Sequence, residues 1–580
     1  MTAWLGAAGL PEGIPTQRNV CERPEPGSAI AEPRELRSHD GALEIDLSEH
    51  DQRLPDGTIR YCYLTSDGKP SPTLRLKPGD LLVIHFKNDL ADFSDATPEI
   101  DRALANAPIC TAKKKPDPCS SGVMTPVSTN LHFHGLTAPP VCHQDDVLKT
   151  SIQPTDPAFE YRLRIPADEP PGLYWYHPHI HGYSKAQVLG GASGAMIIEG
   201  IERAVPSLAG MPERLLVIRD QDLLNPDAPP SKSEPVMSKS QLDNDGDIVN
   251  AGTGFGKPSK DLSVNFVPVP YPNYPPATLT MKPGEPQLWR VLNASAITYL
   301  NLSLLFGHTP QQLGVVGIDG VPIRSQGSPS PPVQWVNHIG VPPGARVEFI
   351  VEGPPLGVPA LLVTRAVDTG PAGENDPNRA LVAITASAEA AEPQAALPPH
   401  AEPLPPPVRP WIGDVTPVRV RKLFFSERPQ NPNDPNSPTA FYITEDGKTP
   451  KPFDPQSDVP DIVVRQGDVE DWIIENRSTE LHDFHIHQLH FQLREWSGLA
   501  VNEPFLRDTV NVPYYNGRML RYPSVRLRMD FRDPNIVGTF VYHCHILEHE
   551  DGGMMGRIRV LPASTSASTT SPTRPTKGEL

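Results

Sequence analysis

Apolar and polar positions alternate along much of this chain in short runs, each bounded by turn residues, which predicts β-strands. One such run is written three times. Residues 73–88 read TLRLKPGDLLVIHFKN, residues 277–293 read ATLTMKPGEPQLWRVLN, and residues 461–476 read DIVVRQGDVEDWIIEN. Each copy is a strand, a glycine followed by an acid, a second strand and an asparagine. The interval is nine residues from Gly79 to Asn88, from Gly284 to Asn293 and from Gly467 to Asn476, and the glycines lie 205 and 183 residues apart. Such periods are too long for a solenoid and suit whole domains. The pattern predicts an all-β chain of three homologous domains in tandem.

A second echo joins the outer copies only. GLYWYHPH, with His177 and His179, matches GTFVYHCH, with His543 and His545; in both, a glycine stands five residues before the first histidine. The middle copy has no HxH and carries YLNLSL where the last has FHIH. These marks set expected limits: a polar, proline-containing arm over 1–42, domains over 43–200, 201–388 and 411–563, an Ala/Pro-rich linker over 389–410, and a Ser/Thr/Pro-rich, disordered tail over 564–580.

Composition sharpens this in places. The 72 prolines and 43 glycines among 580 residues fit many turns between short strands. A net charge of −18 argues against a nucleic-acid surface, where affinity comes from neutralising phosphates. No apolar run reaches the length of a membrane span. Residues 1–13 lack the basic start and sustained apolar core of an export signal. Five cysteines (Cys21, Cys62, Cys110, Cys119, Cys142) lie early, and Cys544 stands alone near the end. The early five could form one or two disulfides or stay reduced; the short loop makes Cys110–Cys119 the first expectation.

Ten of the 19 histidines fall in four clusters: His132 and His134; His177 and His179; His482, His485 and His487; His543, His545 and His549. Residues i and i+2 of a strand share a face, so each HxH presents two imidazoles side by side. Eight imidazoles from two domains could enclose a small metal cluster if those domains face each other. Imidazole alone does not choose among Zn, Cu, Fe and Ni. Cys544, between His543 and His545, points the opposite way. With His482, His549 and a weak axial Met554 it completes the ligand set of a blue-copper electron-transfer site. A zinc reading lacks the closed Cys/His set with CxxC spacing.

Over roughly residues 43–561 these motifs resemble those of the multicopper oxidases: laccases, bilirubin oxidases and spore-coat laccases. The resemblance implies cupredoxin-like Greek-key β-sandwich or barrel domains and four copper ions. It implies type 1 copper on His482, Cys544, His549 and Met554, and type 2 copper on His132 and His485. It implies one type 3 copper on His134, His177 and His545, and the other on His179, His487 and His543. Asp145, with Asp146 as the alternative, and Glu550 match acidic positions expected to deliver protons, and Asp508 matches a structural one. His143, His181 and His490 match no ligand position. Two departures stand out: His482-Asp483 replaces a common His-Pro, and Met554 is followed by Met555, so the axial assignment follows family spacing.

The implied activity is one-electron oxidation of phenols or aromatic amines, coupled to four-electron reduction of dioxygen to water. An axial Met predicts a low to middle potential. Oxidation of Fe(II) or Cu(I) at the same centres is the alternative, although ten methionines without a Met-rich segment argue against a copper-handling version. The expected partners are a small reductant and dioxygen, the expected state a monomer, and the expected location secreted or periplasmic. Asn293, Asn301 and Asn476 begin N-x-S sequons.

Overall fold

Each copy of the repeat is divided between the two layers of a β-sandwich. The first strand of each copy joins one sheet in parallel: Thr73–Leu76 beside Gly194–Ile198, Ala277–Met281 beside Arg379–Ala386, and Ile462–Arg465 beside Met555–Leu561. The second crosses to the facing sheet, again in parallel: Leu81–Asp89 beside Ala42–Arg53, Pro286–Asn293 beside Pro212–Gln221, and Val469–Asn476 beside Arg419–Pro429. The turn between them needs a left-handed residue, which a side chain would strain; Gly79, Gly284 and Gly467 supply it with φ of 91°, 66° and 101°.

The repeated asparagine closes each sandwich. Asn88 donates from its amide to the carbonyls of Val127 and Ile152, Asn293 to those of Thr298 and Val341, and Asn476 to those of Glu480 and Val512. In each case the side-chain oxygen accepts from the backbone N–H two residues on. All three are buried.

The computed structural model describes residues 20–91, 117–228 and 254–564, apart from positions 121, 255, 326, 401, 435–436 and 502. Among the described residues the sheets have five and four strands in the first unit, nine and six in the second, and six and five in the third. The fold is thus all-β, with three tandem cupredoxin-like units. No helix of the described residues is long and apolar enough to cross a membrane.

Strand Gly172–His177 is buried along its whole length, unlike the alternating Phe159–Arg164. Tyr174 and Tyr176 enter the first unit's core. Leu173 and Trp175 face the other way and pack on Leu215, Val217 and Leu292 of the middle unit. A run apolar on both faces marks a strand covered on both sides.

The Cys110–Cys119 expectation is corrected, as is that of reduced thiols: Cys119 pairs with Cys142, and Cys21 with Cys62. The turn carrying Cys119 is held against the Cys142 loop by folding, as the Ser151 N–H bond to the Pro118 carbonyl shows, so loop length does not decide the pairing. Cys110 lies outside the described residues. Within the expected arm, Glu35–Arg37 forms an edge strand beside Thr73–Leu76, and the Ile30 N–H reaches the Thr278 carbonyl. In the linker, Ala395–Ala396 pairs with Pro212–Gln221. Residues 565–580 of the tail lie outside the described residues.

Candidate metal centre

The outer units present their histidines on matching strand pairs. In the first, His132–His134 runs antiparallel to Gly172–His177, with His132 opposite His177. In the third, His482–Ile486 runs antiparallel to Gly538–Cys544, with His485 opposite His543. The two pairs meet across the interface. His132 stacks on His487 with ring centres 3.8 Å apart, and His134 on His485 at 4.0 Å. The Nε2 of His543 lies 3.4 Å from that of His179 and 3.2 Å from that of His487. His545 closes the chamber 5.0 Å from His134 and 5.9 Å from His177. All eight imidazoles are buried.

Their nitrogens are sorted into two kinds. The outward Nδ1 of His132 meets Asp145 at 3.0 Å, and those of His177, His485 and His543 each lie 2.9 Å from a backbone carbonyl. Such contacts fix the tautomer and turn Nε2 inward. Others are orphans: Nε2 of His132, His177 and His485, Nδ1 of His134 and His487, and both nitrogens of His545 have no hydrogen-bond partner. One buried unsatisfied polar atom costs about 1–3 kcal/mol, so this many in one chamber call for an occupant. Burial holds the rings neutral, pulling His177 and His485 down to about 3 and His543 to about 4. Neutral imidazoles with free lone pairs fit metal cations. Donor atoms come together as His132 with His134 and His177, as His132 with His485 and His487, and as His179 with His487 and His543.

A second cluster lies on the other face of the same strand. Nδ1 of His482 and of His549 lie 3.6 and 3.7 Å from Cys544 Sγ and 3.1 Å from each other. Met554 is fully buried in the hydrophobic cluster that contains Cys544, whereas Met555 packs with Val147 and Val541. The backbone N–H of Asp483 donates to the sulfur at 3.5 Å, a bond that proline at this position could not make. The far nitrogens meet carboxylates: His482 Nε2 lies 2.9 Å from Glu427, and His549 Nε2 lies 2.9 Å from Glu480. Phe441 stacks on His549 at 4.3 Å.

The acids separate by position. Asp145 is buried on His132 and also accepts from the Phe133 N–H and the Gln488 amide. Asp146 turns away and accepts from the Lys149 N–H. Glu550 is fully buried 3.8 Å from His179 Nδ1, and burial raises its carboxyl well above the ordinary range. Asp508 takes two bonds from the Arg346 guanidinium, at 2.8 and 2.7 Å, and lies 3.4 Å from His134. His143 is exposed against Phe159, His181 packs on Phe453, and His490 is bonded to the Asp319 carbonyl.

Sequence reasoning missed Glu427, Glu480, Asp319, Gly344 and Arg346. Asp319 accepts the Arg346, Asp508 and Thr509 N–H groups. A Cβ on Gly344 would fall 2.7 Å from the His545 ring. Only Glu480 carried a local signal, two residues before His482.

Family models described as multicopper oxidase match residues 124–203 and 432–564. A multicopper oxidase of Staphylococcus aureus is 23% identical over 496 residues, covering 84% of this chain and 81% of that protein. Laccase-1 of Thanatephorus cucumeris is 24% identical over 313 residues, 53% of this chain and 44% of that protein. Among solved structures, a multicopper oxidase of Campylobacter jejuni described as a metallo-oxidase superposes with a TM-score of 0.61 at 24% identity, covering 93% of this chain and 96% of that one.

Proposed function

Since this chain belongs to the multicopper oxidase family, we propose that it is a laccase-like enzyme that draws single electrons from phenols and aromatic amines and passes four to dioxygen, forming water. In this reading His482, Cys544, His549 and Met554 hold type 1 copper, and His132 and His485 hold type 2. His134, His177 and His545 hold one type 3 ion, and His179, His487 and His543 the other. Bound there, four copper ions supply one-electron redox chemistry and the capacity to store four electrons.

The observation that carries the reading is the run His543-Cys544-His545. Strand alternation turns the sulfur to one cluster and both imidazoles to the other, so a few covalent bonds of this chain connect them. Donor electrons enter at the His482 and His549 edge, against which the buried ring of Phe441 packs. Protons reach the buried chamber through carboxyls: Asp145 on the His132 side and Glu550 on the His179 side. The two disulfides support an oxidising compartment, hence a secreted or periplasmic protein.

One observation favours a second reading, metal-ion oxidation. Glu427 and Glu480 put carboxylates on both imidazoles of the thiolate cluster, where they would attract a small cation such as Fe(II). Oxygen uptake with a phenolic dye, Fe(II) and Cu(I), repeated on Glu427→Gln, separates the two. Loss of Fe(II) turnover with dye turnover kept selects metal oxidation; an unchanged preference for the dye selects the laccase-like reading. A copper count with a visible spectrum tests both. About four ions per chain are expected from the ligand sets, with blue colour that Cys544→Ser abolishes.

A further inference from the structure

Reduction of dioxygen to water consumes four protons, and the histidine chamber is closed to solvent on the evidence of its burial. Two adjoining cavities lie at the junction of the three units, on the side of Gln488, which bonds to Asp145. An outer cavity of 340 Å³ lies between Pro171, Arg324 and the proline-rich 404–409 segment. A smaller recess of 40 Å³, more than the roughly 10–15 Å³ that one water requires, is lined by Gln488 and His490. The two share the wall formed by Asp168, Glu169, Pro170 and Arg409. Of these, Glu169 is buried at 3% exposure.

The polar atoms along these cavities are incompletely paired. One oxygen of Glu169 accepts the Thr137 N–H at 3.3 Å, and the carboxyl also meets the Tyr174 hydroxyl. Gln488 donates its amide to Asp145 Oδ2, and its own Oε1 is buried and unpartnered. Both residues line the smaller recess. A buried acceptor without a partner requires a donor, and water in the recess supplies one. Gln488 also sits at φ 60°, an uncommon conformation for a side-chain-bearing residue, which marks a position held by its surroundings.

We propose that Glu169 is the proton-loading residue of these cavities, feeding the Asp145 carboxylate beside His132; the role rests on the oxygen-reducing reading above. A proton leaves the Glu169 carboxyl for water in the smaller recess and moves past Gln488, which bonds to Asp145, to the Asp145 carboxylate. Solvent in the outer cavity then reprotonates Glu169. Glu169 acts through Asp145 and touches no imidazole of the chamber.

The surroundings suit that task. Burial is the chief reason the Glu169 carboxyl is raised to about 8; the negative charge of Asp533 adds to this, and the Thr137 N–H opposes it. The other titratable groups lining the two cavities with it are Asp168, Glu199, Asp530, Arg203, Arg324, Arg409 and His490, and the Tyr174 hydroxyl bonds to it and lowers it slightly. Arg409 is tied to Asp533 at 2.6 Å and lies 3.6 Å from Asp168, so its charge is shared with those acids. A carboxyl poised near the working pH both holds and releases a proton efficiently.

The test uses the copper-loaded full chain as wild type, Glu169→Gln and Glu169→Asp. Infrared difference titration of wild type should show protonated-carboxyl absorbance lost with a midpoint near pH 8, and Glu169→Gln should lose the share of it that Glu169 contributes, Glu49 and Asp145 being raised to about the same value. Mixing anaerobically reduced enzyme with oxygen should show reoxidation slowed by about tenfold or more in Glu169→Gln, with an altered pH profile and a larger solvent isotope effect. Anaerobic bleaching of the blue colour by a donor should be unchanged, and Glu169→Asp should restore most of the rate. A wild type without a carboxyl titrating near that pH overturns the role whether or not the variants fold. So does wild-type reoxidation and pH profile in Glu169→Gln, or equal loss of rate in both variants. Wild-type holoenzyme that takes up no oxygen overturns the functional reading and this role together, whereas oxygen uptake indifferent to Glu169→Gln overturns the role alone.

Discussion

The middle unit and its two neighbours share one frame and carry different chemistry. The strand crossing, the left-handed glycine and the clamping asparagine recur in all three. Yet the outer units turn imidazoles toward one another, while the middle unit has Leu300–Phe306 where the third has His482–Ile486. The middle unit nevertheless reaches the chamber from outside, through Arg346 on Asp508, Asp319 on the Asp508 and Thr509 backbone, and Gly344 under His545. The difference teaches that a β-sandwich frame is indifferent to its site: the same backbone serves as holder of clustered histidines or as brace, according to a few side chains.

The largest test of this division is Cys544→Ser, which removes the thiolate of the third unit and leaves the frame. Donor-driven oxygen uptake should fall to background with the thermal unfolding midpoint little changed; retained uptake would break the assignment. Next comes the brace. Arg346→Leu leaves Asp508 as a buried carboxylate without its partner, a defect worth about 3–5 kcal/mol. Denaturant unfolding should show that loss, together with a lower copper content, although no residue of the middle unit is assigned as a ligand. Stability and copper content both unaltered would mean that the middle unit is a bystander.

Smaller effects probe the shared frame. Asn88→Ala, Asn293→Ala and Asn476→Ala each remove a buried amide that serves two carbonyls, and each should destabilise by about 1–3 kcal/mol. Similar losses in all three, with copper content kept in Asn293→Ala, would support equivalence of the frames; a loss confined to one unit would break it. The smallest effect is expected at Asp483→Pro, which deletes one N–H bond to Cys544 Sγ worth about 1 kcal/mol. That bond draws charge from the sulfur and favours the reduced site, so its loss should lower the redox potential of the blue centre in a spectroelectrochemical titration. Asp483→Asn keeps the N–H and should hold the potential near that of wild type.

The frame was legible because it rests on local pattern: alternation, a turn glycine nine residues before an asparagine, and HxH pairs whose two side chains share a strand face. The groups that surround the histidines were not. Glu427 comes from a strand more than 50 residues before His482, and Arg346 and Asp319 come from another unit, so only folding makes them neighbours. The disulfide partner of Cys119 was hidden for the same reason: a nearer cysteine in sequence is not a nearer cysteine in space. Asp483 shows a third case. It reads as a lost proline, and its consequence, a donor for the sulfur, shows only once the strand opposite is in place.

The clamping asparagines bear on how this protein can be produced. Asn293 and Asn476 begin N-x-S tripeptides, yet their amides are consumed inside the finished fold. A yeast or insect cell attaches sugar as the nascent polypeptide emerges, before that amide is engaged. A glycan landing there would wedge the sandwich open, so expression in such hosts should yield aggregated or retained material; replacing Ser295 by alanine should remove the first acceptor without touching its clamp, whereas the Ser478 hydroxyl itself bonds to Asn476 and His482.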